Sequence, residues 1–324
     1  MEFHYLLAKQ AVLQKNVDAS LYPFMVCSLY GLLSKYKGYE PIVLDLFSMT
    51  NFYIEEGTVP EILKKHHIEM DFTTPIDDSD DEYMKVLGAS NQGHSFVQKD
   101  DGTIRYQQDY PFVICSLNCQ NPSRILNAFC HEMGHLIKGE KDSVWYYGEE
   151  DVDPIYVIRT GLAHYSIGFQ DHFQKMIAKN QYLVLDESIN CIQTTDVMQE
   201  ILALKEFCPD PEIVSYIDSL DADSLKEDIG YQDMVQLLRL FWNQESFRGS
   251  IEDNIVEGNI DDIVHSFDSL MEQEGAFDQL SEWLEDVFLL AQTNRGEITG
   301  ESVDNIQKMA AEYKKRVKSN KKED

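Results

Sequence analysis

Residues 123–139 read SRILNAFCHEMGHLIKG and are preceded by Asn121 and Pro122. Asn121 suits an N-cap, Pro122 the first helical position and Gly139 the left-handed residue just past a helix end, so the stretch predicts a helix between them. Within it Ile125, Leu126, Phe129, Met133, Leu136 and Ile137 recur at three- and four-residue spacing, which makes a wide apolar face for a core. His131 and His135 stand at i and i+4 and project from one side of such a helix, where two imidazoles can close on a single metal ion. Glu132 follows His131 by a quarter-turn and reaches a water on that metal. The plainer reading is two satisfied core histidines beside a surface glutamate. It sits poorly with an ionisable side chain on a mostly apolar helix, which needs a partner.

The 324 residues are 43% hydrophobic, enough to bury a substantial core in two domains or one enlarged one. A formal charge of −30 speaks against nucleic-acid binding, because a phosphate backbone is repelled except at a local basic patch. The basic run KKRVKSNKK near the C-terminus reads as a solvated, frayed end. No apolar run reaches membrane-spanning length and no signal peptide opens the chain, so the expectation is a cytoplasmic protein with no membrane association. Cys27, Cys115, Cys119, Cys130, Cys191 and Cys208 form no CxxC pair and show no regular spacing, which predicts reduced, mostly buried thiols.

Residues 1–75 read as a helical region, from YLLAKQAVLQKNV through SLYGLLSKY to VPEILKKHHIEM, with IVLDLF open to either a strand or a helix. The adjacent His66 and His67 point about 100° apart on a helix and cannot chelate one ion together. TTPIDDSDDEYM reads as an exposed acidic loop that lacks the ligand spacing and turn glycine of an EF-hand. Over residues 85–117, KVLGAS, HSFVQ, TIRYQQ and PFVICSL are short, β-branched or aromatic, and broken by turn signals, which predicts a small antiparallel sheet. IYVIRTGLAHYSIGF contains a β-branched run and a Gly-punctuated turn, and residues 171–207 read as mostly helical. Residues 209–324 form an acidic α-helical region. From 196 to 286 there are 24 acidic residues against 4 Lys and Arg, a balance expected of solvated helix faces or of a docking surface for a basic protein partner. The predicted fold is α+β, in three parts: 1–75, 76–208 and 209–324.

A catalytic zinc site takes three protein ligands and keeps the fourth position for water or substrate, so a third ligand is needed. The metzincin pattern HExxHxxGxxH is excluded, since its third-histidine position is occupied by Lys141 and Gly139 is displaced by one residue. With HEMGH followed on a later helical segment by Glu187 in YLVLDESINCIQT, the sequence resembles a gluzincin-type zinc metallopeptidase over about 110 residues. Glu140, Asp186, His164, His172 and Asp196 compete with Glu187 for the third place. Many gluzincins carry an acidic residue four positions after the ligand glutamate, where this chain has Cys191.

The resemblance implies a zincin-like core with a small antiparallel sheet packed on the HExxH helix, and Zn²⁺ held by His131, His135 and Glu187. It also implies Glu132 as the general base and a peptide or protein substrate stretched along the sheet's edge. An oxyanion donor is expected among Tyr146, Tyr147, Arg159, His164 and Tyr165. The competing expectation is an inactive zincin-like scaffold that binds a protein partner through its acidic helices.

Overall fold

A computed structural model describes residues 2–68, 87–98, 104–119, 121–139, 144–147, 155–170, 175–222, 231–293 and 299–320. In chain order, helices α1 (Glu2–Lys15), α2 (Tyr22–Lys35) and α3 (Glu40–Met49) lead into strand β1 (Asn51–Glu55) and helix α4 (Val59–Lys65). Strands β2 (Gly88–Asn91), β3 (His94–Gln98), β4 (Ile104–Gln108) and β5 (Phe112–Ser116) precede helix α5 (Pro122–Gly139). Strands β6 (Val144–Tyr147), β7 (Ile155–Thr160), β8 (Ala163–Gln170) and β9 (Lys175–Gln181) then lead to helix α6 (Leu183–Leu204). The remainder is helical: α7 (Pro211–Asp218), α8 (Gln232–Trp242), α9 (Glu245–Asn254), α10 (Ile260–Met271), α11 (Ala276–Thr293) and α12 (Glu301–Asn320). The architecture is mixed α+β and mostly helical, as expected.

The chain forms two compact units, one of Met1–Gln98, Ile104–Ile137 and Gln193–Ile229, the other of Lys99–Thr103, Lys138–Ile192 and Gly230–Asp324. Helix α5 passes from the first to the second after Ile137, and α6 passes back after Ile192.

The first unit is organised on α2, whose residues from Pro23 to Leu33 are all buried. A helix apolar on every side has to be wrapped, and α1, α3 and α7 pack against it. Gly31 marks the crossing with α6: a Cβ there would lie 2.8 Å from side-chain atoms of both Val197 and Ile201. The three-stranded sheet has the order β1-β5-β2, with Val113, Ile114 and Cys115 of the central strand fully buried. It packs on α5 through Phe52, whose ring centroid is 5.4 Å from that of Phe129, and Phe129 in turn meets Phe24 edge-on at 5.1 Å.

The sequence expectation of one antiparallel sheet over residues 85–117 needs correction. β2 pairs antiparallel with β5, but β1 pairs parallel with β5, and β3 and β4 form a separate two-stranded sheet. β1 also interrupts the region read as helical, while IVLDLF belongs to helix α3. A parallel partner some 60 positions away leaves no local periodicity to read.

In the second unit, β6-β7-β8-β9 form a four-stranded antiparallel meander. KMIAKNQ, expected to be helical, is its last strand, because pairing with β8 outweighs the weak local preference of that segment. The β7–β8 turn uses Gly161 at φ 70°, a conformation that costs glycine little. Phe241, Phe247, Phe267, Phe277 and Tyr313 form an aromatic core among α8–α12, with Phe267 and Tyr313 stacked at 5.2 Å. As far as Asn320 the basic run belongs to helix α12, where Arg316 pairs with Glu272 and Glu312 at 2.9 Å, so this part is regular helix with Lys314, Lys315 and Lys318 exposed. No helix among the described residues is long and apolar enough to cross a membrane. All six cysteines are free thiols, and all but Cys208 are buried.

Candidate metal centre

The helix carrying His131, Glu132 and His135 begins as its sequence demands. Asn121 Oδ1 accepts the Ser123 N–H at 2.9 Å, and Ser123 Oγ accepts the Asp221 N–H at 2.8 Å. The six apolar residues of its stripe are buried, between 0% and 8% exposed, which leaves His131, Glu132 and His135 half-buried. At the other end the helix continues through Gly139, correcting the expectation that this glycine lies beyond it.

Helix α6 starts where Tyr182, at φ 60°, ends β9. Asp186 therefore falls in its first turn and Glu187 directly after it, near the N-terminal end, where the helix dipole favours carboxylates.

Ligand atoms of His131, His135 and Glu187 all lie within 4.8 Å of one another, and this is the grouping able to hold a metal ion among the described residues. The Nε2 atoms of the two histidines face each other at 3.1 Å, with their rings nearly perpendicular at 80°. Two imidazole nitrogens at about 2.0–2.1 Å from a tetrahedral ion stand roughly 3.3 Å apart, so the observed pair needs almost no adjustment to share one. Two nitrogens and a carboxylate oxygen are donors that suit a borderline divalent metal.

Two of the competing ligands are committed elsewhere. Asp196 Oδ2 accepts from Lys35 Nζ at 2.6 Å, and Asp186 Oδ1 accepts the Leu162 N–H at 2.8 Å beside Lys138. Glu140 and His172 lie outside the described residues, as does the side chain of His164.

Glu132 is not part of the metal-capable group and is held from the sheet side. Ser90 Oγ donates to Glu132 Oε2 at 2.7 Å. Gly88, two residues earlier on the same face of β2, leaves room for the carboxylate: a Cβ there would lie 2.9 Å from Glu132 Cγ. Both inward positions of this end strand therefore meet one side chain. The nearby Cys115 thiol is pushed far above its ordinary value by burial and then by the Glu132 charge, which removes it as a nucleophile.

The second unit holds a buried polar cluster. Lys138 and Asp186, 0% and 1% exposed, pair at 3.6 Å, and Arg159, 0% exposed, donates to the carbonyls of Gly161 and Ile255 at 3.1 Å. Burial lowers the Lys138 ammonium from the usual lysine range, opposed first by the Asp186 carboxylate and then by Glu187. Arg159, one of the five candidates for an oxyanion donor, is a fully buried core residue. The side chains of Tyr146, Tyr147, His164 and Tyr165 lie outside the described residues.

Ser90, Gly88 and Lys138 were not singled out by sequence. Lys138 did carry a signal: at i+7 from His131 and i+3 from His135 it shares the histidine face of α5.

Compared with family models, curated proteins and solved structures, the chain matches none. Its function has to be argued from the site.

Proposed function

We propose that this chain is a cytoplasmic zinc-dependent metallopeptidase with a zincin-like core, in which His131, His135 and Glu187 hold the ion and Glu132 is the general base. The reading is carried by one observation. Three ligand atoms of the right chemistry converge within 4.8 Å, while the remaining carboxylate of the motif stands outside that group and accepts from Ser90.

Zinc, when bound, lowers the pKa of a water and polarises the scissile carbonyl. The chain's own residues supply the rest. Glu132 Oε2 is engaged by the Ser90 hydroxyl, so Oε1 is left to accept the proton of the attacking water and later to pass it to the leaving amine. One carboxylate can do both only if its orientation is fixed, and the Ser90 contact with the close approach of Gly88 supports that. The substrate proposed is a peptide or an extended protein segment. β2 is an end strand of its sheet and offers main-chain groups beside Glu132 to a chain lying along it.

The test is Glu132→Gln, assayed on a peptide library with zinc measured by elemental analysis. The variant should keep about one zinc per chain and lose hydrolysis, because a base is removed without removing a ligand. Hydrolysis retained by the variant overturns the mechanism. Absence of zinc from the parent, with none taken up on titration, overturns the site.

A further inference from the structure

A single residue joins β9 to α6. The strand ends at Gln181, the helix opens at Leu183, and Tyr182 between them takes a left-handed backbone conformation, φ 60°. That region suits glycine, and a bulky aromatic residue stays in it only where its surroundings hold it there. With one connecting residue, the Tyr182 backbone angles set the direction in which α6 leaves the strand. Glu187 lies five residues on, roughly 7.5 Å along the helix axis, so its position follows from that direction.

Helix α11 holds this joint. The Tyr182 hydroxyl donates to Asp278 Oδ1, and its ring meets that of Phe277 edge-on with centroids 5.5 Å apart. Phe277 and Asp278 belong to the first turn of α11, which is itself fixed by α10. Asp268 Oδ1 accepts the Phe277 N–H at 2.9 Å, its Oδ2 accepts the Gly275 N–H at 2.7 Å, and Phe277 packs on Phe267 at 5.6 Å. On its other side the Tyr182 carbonyl accepts the Asp186 N–H at 2.8 Å, which closes the first turn of α6. Tyr182 is buried and Asp278 exposed, so a surface carboxylate holds a strained residue from outside.

We infer that Tyr182 is a positioning residue for Glu187, and that α10 and α11 serve the metal site through it. The Asp278 hydrogen bond and the Phe277 contact lock the left-handed joint, and with it the start of α6. The inference rests on the metal-site reading above. It explains why a tyrosine stands where glycine would be at ease: the side chain that makes the conformation costly also supplies the hydroxyl and ring that hold it. It also gives part of the acidic helical region a role that needs no partner.

The test reads the metal as well as the fold. Zinc affinity is measured by competition with a chromophoric chelator on the purified full chain, ligand geometry by the visible absorption of the cobalt-substituted protein, and stability by thermal denaturation. Tyr182→Phe keeps the ring but not the hydrogen bond, and Asp278→Ala removes the acceptor. Each should weaken zinc binding on the order of tenfold, the range for groups that orient metal ligands, and change the cobalt spectrum. The double variant should be no weaker than either single one, because both break the same contact. Asp278→Asn keeps an oxygen acceptor and should stay close to the parent. A purely structural role lowers the melting temperature while leaving zinc affinity and the cobalt spectrum unchanged, and that result overturns the inference. A loss in Asp278→Asn equal to that in Asp278→Ala overturns it too. Should Tyr182→Phe not fold, Asp278→Ala, changed at an exposed position, still decides. A parent that binds neither zinc nor cobalt refutes the metal site instead, so the two failures are distinct.

Discussion

The hydroxyl of Ser90 donates to Oε2 of Glu132 at 2.7 Å, linking an end strand of the three-stranded sheet to the residue beside His131. A hydrogen bond to a charged group contributes about 1.5–3 kcal/mol, so Ser90→Ala should lower kcat by at least roughly tenfold. Zinc content should not change, since no ligand is touched. Ser90→Thr keeps the hydroxyl and should retain most of the activity. Steady-state kinetics on a cleaved peptide with parallel zinc analysis checks this, and an unchanged kcat in Ser90→Ala would remove the serine from the mechanism.

Gly88→Ala asks the same question by steric means. The added Cβ would lie 2.9 Å from Glu132 Cγ and 3.2 Å from Oε1, atoms of a flexible side chain, so the carboxylate moves while the strand stays. The expected result is a folded, zinc-loaded protein with kcat reduced at least as far as in Ser90→Ala. Thermal denaturation close to the parent's, together with the kinetic loss, is the signature to look for.

Among the acidic residues near the site, only Glu187 is expected to matter as a ligand. Glu187→Ala should lose tight zinc binding, whereas Asp196→Ala should retain it, because Asp196 is engaged by Lys35 at 2.6 Å. Zinc titration of the two variants side by side measures the difference. Tight binding by Glu187→Ala would require a different third ligand.

The thiols give a test that needs no metal. Burial raises Cys27, Cys115 and Cys130 above the ordinary thiol range, Cys130 to about 12, so each is protonated and shielded at pH 8. Iodoacetamide on the native protein should modify the partly exposed Cys208 and spare those three, and all six should react after denaturation. Peptide mass mapping reports the pattern. Rapid native labelling of Cys115 or Cys130 would contradict the packing of β5 and α5.

At Gly31 the two helices α2 and α6 cross with no space for a methyl group. A Cβ would lie 2.8 Å from Val197 and Ile201 side-chain atoms and 3.0 Å from the Val197 carbonyl oxygen, and backbone yields less readily than a side-chain tip. Overpacking of this kind costs about 1–3 kcal/mol, against which the better helix propensity of alanine returns roughly 1 kcal/mol at most. Gly31→Ala should therefore lower the midpoint of urea unfolding, and an unchanged or raised midpoint would show that the crossing relaxes freely.

How much of this was legible in the sequence depends on whether the responsible interaction is local. The α5 helix, its cap at Asn121, its apolar stripe and the pairing of His131 with His135 follow from spacing within a few turns, and all were readable. Of the β7–β8 hairpin, the β-branched run and the turn at Gly161 were readable for the same reason, but the pairing of its strands with β6 and β9 was not. β1 and β9 were not. The first finds its partner only in β5 far along the chain, and the second becomes a strand because β8 is there to pair with it. Glu187 could be nominated by its place at a helix start, but its choice over Asp186 and Asp196 needed the positions of Lys138, Leu162 and Lys35. Gly88 and Ser90 showed only as two small residues in a short strand. Their common target, Glu132, lies on an element 42 positions beyond Ser90.

The parallel pairing of β1 with β5 also sets an order of events during synthesis. Asn51–Glu55 emerges from the ribosome well before Phe112–Ser116, its neighbour in the sheet among the described residues, so a nascent chain shorter than this lacks that partner. Helix α5 begins at Pro122, within ten residues of the end of β5. The sheet therefore closes at nearly the moment its packing surface, with the two histidines, becomes available. Translation slowed between residues 55 and 112 would prolong the exposure of that strand, and arrested chains ending there are the stage at which this protein is most open to misassociation.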